Sequence, residues 1–142
     1  MITYTSELRF HTQGFHDCRD ITPDLQTILE KSRIREGLLT VMVPGSTAAI
    51  TTIEFESGAL ADLKEAMERL APIDGEYAHN ERWADGNGFS HVRAALLKPS
   101  VGVPIVNGRL CLGTWQQVVF IDFDNRPRHR KIVVQLIGVT NP

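Results

Sequence analysis

The sequence predicts an α+β fold: helices packed on a sheet whose strands cluster late in the chain. Three observations carry this. Apolar residues recur at helical spacing in separated stretches around Leu25, Leu60 and Phe89. β-branched runs lie between them. From Val101 to Val139 the chain is nearly all strand, whereas a regular βαβ array would alternate to its end.

In order, Ile2 to Phe10 reads as a strand from its partial alternation, and Phe15 to Ile21 as a second. Thr22-Pro23-Asp24 supplies a hydroxyl cap, an early proline and an early carboxylate, so a helix starts there with Leu25, Ile28 and Leu29 on its apolar stripe. Leu38 to Val43 is a compact apolar run, ended by Pro44-Gly45, and suits a buried strand. Thr47 to Phe55 is β-branched and strand-like. Ser57 caps the next helix, whose stripe is Leu60, Leu63, Met67 and Leu70, and Pro72 marks its end.

Residues 74–88 are polar and glycine-rich and read as a long irregular loop. A third helix follows, with Phe89, Val92 and Leu96 facing inward and Pro99 as its stop. Strands at Val101 to Val106, Arg109 to Leu112, Gln116 to Phe123 and Lys131 to Val139 complete the chain. Asn107-Gly108 is a hairpin signal because both residues tolerate positive φ. Asp124-Asn125-Arg126-Pro127 is another turn. The sum is three helices over seven or so strands.

With 142 residues the chain fits one domain, 1–142, able to bury a substantial core. No run approaches the roughly 18 apolar residues of a membrane helix, and the first residues lack the charged and apolar regions of a secretory signal. A cytoplasmic protein with no membrane partner is expected. Cys18 and Cys111 are too few for a disulfide framework and read as buried, reduced thiols. A net charge of −2 argues against nucleic-acid binding, which usually shows a basic footprint. A small anion site needs only a few local donors and stays open.

Candidate chemistry concentrates between Tyr77 and Trp115. The stretch from Tyr77 to His91 holds two imidazoles with carboxylates and carboxamides. His79 and His91 could ligate a divalent ion (Mg or Zn) with Asp85 or Glu81 as oxygen ligand, although the spacing matches no standard zinc motif. Alternatively one of them transfers protons, or both are structural. Asn87 and His91, four apart, share a helix face if the helix begins early enough. Arg128 and Arg130 share a strand face and could hold a phosphate or pyrophosphate; a solvated edge is the plainer reading. Ser46, Thr47, Thr114 and Gln116 are donor-rich turn residues, with Trp115 expected in the core. Glu54 could be a general base or an ordinary surface glutamate.

Gly45-Ser46-Thr47-Ala48-Ala49, Glu54, Tyr77-Ala78-His79, Ser90-His91-Val92, Asn107-Gly108-Arg109-Leu110 and Leu112-Gly113-Thr114-Trp115-Gln116 occur in one order, continued by Pro127-Arg128 and Arg130. In these blocks the chain resembles the YjbQ-like family, from about Val41 to Gly138. The resemblance implies a mixed, largely antiparallel sheet curled toward a barrel with about three helices, and assembly as a homotrimer. It implies a pocket gathering His79, His91, Glu54 and Arg128 near a subunit boundary. It also implies weak, secondary thiamine-phosphate synthase activity on a small phosphorylated metabolite. A metabolite-binding protein without catalysis and a metal-dependent hydrolase remain alternatives. Where many members carry a histidine before the Thr-Ser/Thr-Ala run, this chain has Gly45, so a site using three histidines would be incomplete here.

Overall fold

The computed structural model describes residues 1–141. Along the chain run β1 (Ile2–Thr12), β2 (Asp17–Asp20), α1 (Thr22–Ser32), β3 (Glu36–Met42), β4 (Ala48–Ile53), α2 (Ser57–Leu70), α3 (Ala78–Trp83), α4 (Gly88–Leu97), β5 (Ser100–Val106), β6 (Arg109–Leu110), β7 (Gln117–Asp122) and β8 (Arg128–Val139). The fold is α+β, an antiparallel half-barrel with three substantial helices and the short α3.

Five strands form one sheet in the order β1-β8-β3-β5-β6, and three form another in the order β2-β7-β4. β1 and β8 alternate outward and inward residues, so one face of the larger sheet is open. β7 is different: from Val118 to Asp122 every residue is buried. One of its faces meets the main core, where Phe10 packs edge-on against Phe120 at 5.1 Å and α1 delivers Leu25, Ile28 and Leu29. Its other face meets α2 and α4 through Met67 and Ala94. A strand covered on both sides has no reason to alternate, which explains its continuous apolar run.

Local structure departs from the sequence pattern at several points. Thr22 is not the α1 cap; Ile21 holds that position, and the Thr22 hydroxyl instead accepts the Val118 N–H at 2.8 Å, tying the helix start to β7. Glu56, not Ser57, caps α2, its carboxylate accepting the Gly58 and Ala59 N–H groups. Leu70 at the end of the α2 stripe is 65 % exposed. Phe15 and His16 have positive φ, so β2 starts only at Asp17. On α4 the inward residues are Phe89, Ser90, Arg93 and Ala94, while Val92 and Leu96 face outward. Trp115 lies in a turn and is 74 % exposed, because β7 begins after it. Cys18 is half-buried and Cys111 exposed.

The polar stretch 74–88, which reads as a loop in sequence, contains α3. It has six residues, buries none of them and has no side-chain cap, so it leaves no periodic signal. It is held by Asn80, whose Oδ1 accepts the Gly88 N–H at 2.8 Å. Gly88 is required there: a Cβ would lie 2.6 Å from that of Tyr77. The Asn107-Gly108 hairpin forms as expected, with φ of 53° and 72°.

Candidate functional site

Strand register brings four segments to one end of the sheets. Ala48 and Asp17 both pair with Asp122, and Thr12 pairs with Arg128. The Gly45-Ser46-Thr47 loop therefore lies beside the β7–β8 turn, and α3 and α4 close over it. An open cavity of about 400 Å³ results, floored by Thr47, Arg128 and Arg130 and walled by His79, Asn87 and His91. Asp85, Trp83 and Arg126 form its outer rim.

Two fully buried carboxylates organise the floor. Arg130 Nε donates to Asp122 Oδ2 at 2.7 Å and Nη2 to Oδ1 at 2.9 Å. The same Nη2 lies 2.7 Å from the Thr47 hydroxyl. Asp122 also accepts the Thr12 hydroxyl at 2.6 Å. Arg128 donates Nε to Asp124 at 2.7 Å, and Asp124 further accepts from Thr47, Asn87 and the Asn125 N–H. Burial pushes the Asp124 carboxyl upward, but the Arg128 hydrogen bond, with those of Asn125 and Asn87, outweighs it and holds the group below the usual carboxylate range. Arg128 stays one-third exposed and Arg126 exposed, so both can meet a ligand.

Asn87 is the cap residue of α4 but makes no side-chain cap bond. Its amide instead bridges the floor and the wall: Nδ2 donates to Asp124 at 3.3 Å, and Oδ1 lies 3.0 Å from His79 Nε2. With the amide oriented so, the imidazole proton belongs on Nε2, 3.3 Å from Asp85 Oδ1. The His79 and His91 rings lie 4.4 Å apart at 51°. Burial, then the neighbouring His79, holds His91 below the ordinary histidine value, against the opposing pull of Asp124, Asp85 and the Ser46 backbone. His91 therefore stands neutral at neutral pH.

The structure thus joins His79, His91, Asp85, Asn87, Ser46, Thr47, Arg128 and Arg130 around one cavity. It does not bring in the rest. Ala48 pairs with Asp122 but Ile53 pairs with Gln117, so Glu54 follows the far end of β4 and is exposed. Thr114 and Gln116 are at that far end too, where Gln116 Nε2 donates to Thr52 at 3.2 Å. In one chain, Glu54 is not grouped with the histidines. Trp83 and Arg126 on the rim, and Asp122 and Asp124 beneath the floor, join the site beyond the residues expected from the sequence. For the two carboxylates the Asp-x-Asp spacing just before the turn is the available signal, since period two sends both to the face that Arg128 and Arg130 share.

Imidazole nitrogens and the Asp85 carboxylate are donor types that suit a divalent ion. Among the described residues, however, no three His, Cys, Asp or Glu side chains are gathered in ligating positions.

Residues 6–139 match the family model described as UPF0047 protein YjbQ-like. The chain belongs to the UPF0047 (YjbQ-like) family. A UPF0047 protein of Methanothermobacter thermautotrophicus is 42% identical, over 97% of this chain and 94% of that protein. YugU of Bacillus subtilis is 33% identical over 92% and 97%. The solved structure of a YbjQ-like protein of unknown function from Sulfolobus solfataricus superposes with a TM-score of 0.87 at 27% identity, covering 97% of this chain and all of that one. A UPF0047-family structure from Clostridium acetobutylicum gives 0.84 at 32% identity, covering 93% and 99%. No helix among the described residues is long and apolar enough to cross a membrane.

Proposed function

We propose that the cavity binds a phosphate-bearing small molecule and serves transfer chemistry of the thiamine-phosphate synthase type. The observation that carries this is the convergence of Arg126 and Arg128 with two imidazoles and the Ser46-Thr47 loop on one open cavity. In such a transfer, the C–O bond of a pyrimidine methyl pyrophosphate breaks and pyrophosphate leaves with the electron pair. The thiazole nitrogen of a thiazole phosphate donates its lone pair to the methylene carbon, forming the C–N bond. The enzyme's task is to offset the charge on the departing group. Arg128, aimed by Asp124, and Arg126 at the rim would do so. An anion beside His91 favours its protonated form, so the ring would take up a proton on binding and deliver it to pyrophosphate. Trp83, 65 % exposed on the rim, offers a flat face to the heterocycle.

The test is turnover of the two precursors by wild type and by His79→Ala and His91→Ala. Loss of product in both, with melting curves retained, is the expected result; wild-type rates from both would remove the assignment. A second reading, binding without catalysis, is favoured by the pairing of Arg128 and Arg130 with buried carboxylates and by the distance of Glu54 from the cavity. Calorimetric binding of thiazole phosphate without product formation would select it. The homotrimer belongs to the same proposal. The open sheet face carries the exposed apolar residues Leu38, Met42, Val106 and Ile137, which a neighbouring subunit would cover. Sedimentation as a monomer at micromolar concentration would refute it.

A further inference from the structure

A smaller cavity of about 210 Å³ adjoins the polar one, and the two share Gly45, Ser46 and His91 as a common wall. Their other linings differ in kind. The polar cavity continues over Arg126, Arg128 and His79, whereas the annex continues over Ala48, Ala94, Ala95 and Pro99. The annex exists because these side chains are small: α4 presents Ala94 and Ala95 where longer residues would fill the space. Gly45 contributes as well. Its φ of +126° suits glycine, and a Cβ there would lie 3.3 Å from Arg130 Nη1, at the junction of the two spaces.

We infer that the site is bipartite and takes a phosphomonoester of a small apolar or flat group, with the phosphate over Arg126 and Arg128 and the apolar part in the alanine-lined annex. This rests on the anion-binding reading of the polar cavity and adds the ligand's second half. His91, shared by both cavities, then lies alongside the bond between the two halves, with its ring able to contact the ester oxygen. Chemistry at that bond would therefore be within reach of an imidazole, while a free inorganic anion would leave the annex unused. Burial of an apolar ring removes nonpolar surface from water and adds affinity that phosphate alone lacks.

The test is calorimetry of the full chain with phenyl phosphate and with inorganic phosphate. Phenyl phosphate is expected to bind about tenfold more tightly. Ala95→Phe fills the annex from an exposed helical position, and is expected to reduce phenyl phosphate affinity about ten times more than phosphate affinity. Ala95→Leu should give a smaller loss in the same direction, and melting curves check that both variants fold. Equal affinities of wild type for the two probes would overturn the bipartite site, as would equal losses in the variants. If wild type binds neither probe, the anion-pocket reading fails, and this inference fails with it.

Discussion

Arg128 directs Nε and Nη2 at the same oxygen of Asp124, at 2.7 and 2.6 Å, and that carboxylate is fully buried. The pair fixes an exposed cation by anchoring it to a buried anion. Asp124 also holds Thr47 and Asn87, so the floor, the loop and the α4 wall meet at one group.

Asp124→Asn should therefore act on both stability and binding. Arg128 is one-third exposed and stays solvated, so the loss is that of the charge-assisted hydrogen bonds to the buried carboxylate, about 2 kcal/mol. Thermal melting should show a clearly lower Tm, and phosphate affinity should fall because Arg128 loses its orientation. An unchanged Tm would show that Asp124 is not the organising group.

Arg126→Ala removes an exposed rim cation that has no role in the core. Stability should stay within about 0.5 kcal/mol of wild type, while inorganic phosphate binding weakens about five- to tenfold. Calorimetry and melting read both quantities. Full retention of affinity would exclude the rim from the anion site.

Gly45→Ala places a side chain on backbone at φ +126° and presses it against Arg130 Nη1. The strain should cost roughly 1–3 kcal/mol, seen in urea denaturation. Tolerance of alanine without loss would mean that the loop relaxes freely.

His16 predicts an acid sensitivity separate from the cavity. Both its ring nitrogens are buried and make no hydrogen bond. Burial first, then the charges of Arg93 and Lys64, lowers its pKa to about 4. The unfolded chain, with an ordinary value near 6.5, binds a proton that the folded chain refuses. Stability is therefore unaffected above that value, declines as pH falls from 6.5 toward 4, and levels off below, a loss on the order of 3 kcal/mol. His16→Asn, which tolerates positive φ, should flatten this slope in denaturation curves measured across the window. A slope unchanged in the variant would place the acid sensitivity elsewhere.

Much of the architecture was legible because it rests on local rules. Asn107-Gly108 announces its hairpin, and Pro23 with the Leu25, Ile28, Leu29 stripe announces α1. Arg128 and Arg130 share a face by strand periodicity alone. What was not legible depends on tertiary context. α3 has no buried face, so no apolar spacing betrays it. Glu56 caps α2 ahead of the more conventional Ser57 because its carboxylate reaches both free N–H groups. Residue type alone puts Trp115 inside, yet the turn before β7 turns it outward. The site was half readable: the histidines and arginines stand out by chemistry, whereas Asp122 and Asp124 look like turn residues until register buries them.

The cations on the cavity floor and the carboxylates that neutralise them all come from one short stretch, Asp122 to Arg130, where the chain crosses from β7 in one sheet to β8 in the other. Partners so near in sequence need little loop-closure entropy to meet. That segment therefore carries both signs of the floor's charge within nine residues of chain. Substitutions in the overlying α3 and its connections would therefore reshape the cavity's wall and rim while leaving the charged base beneath intact.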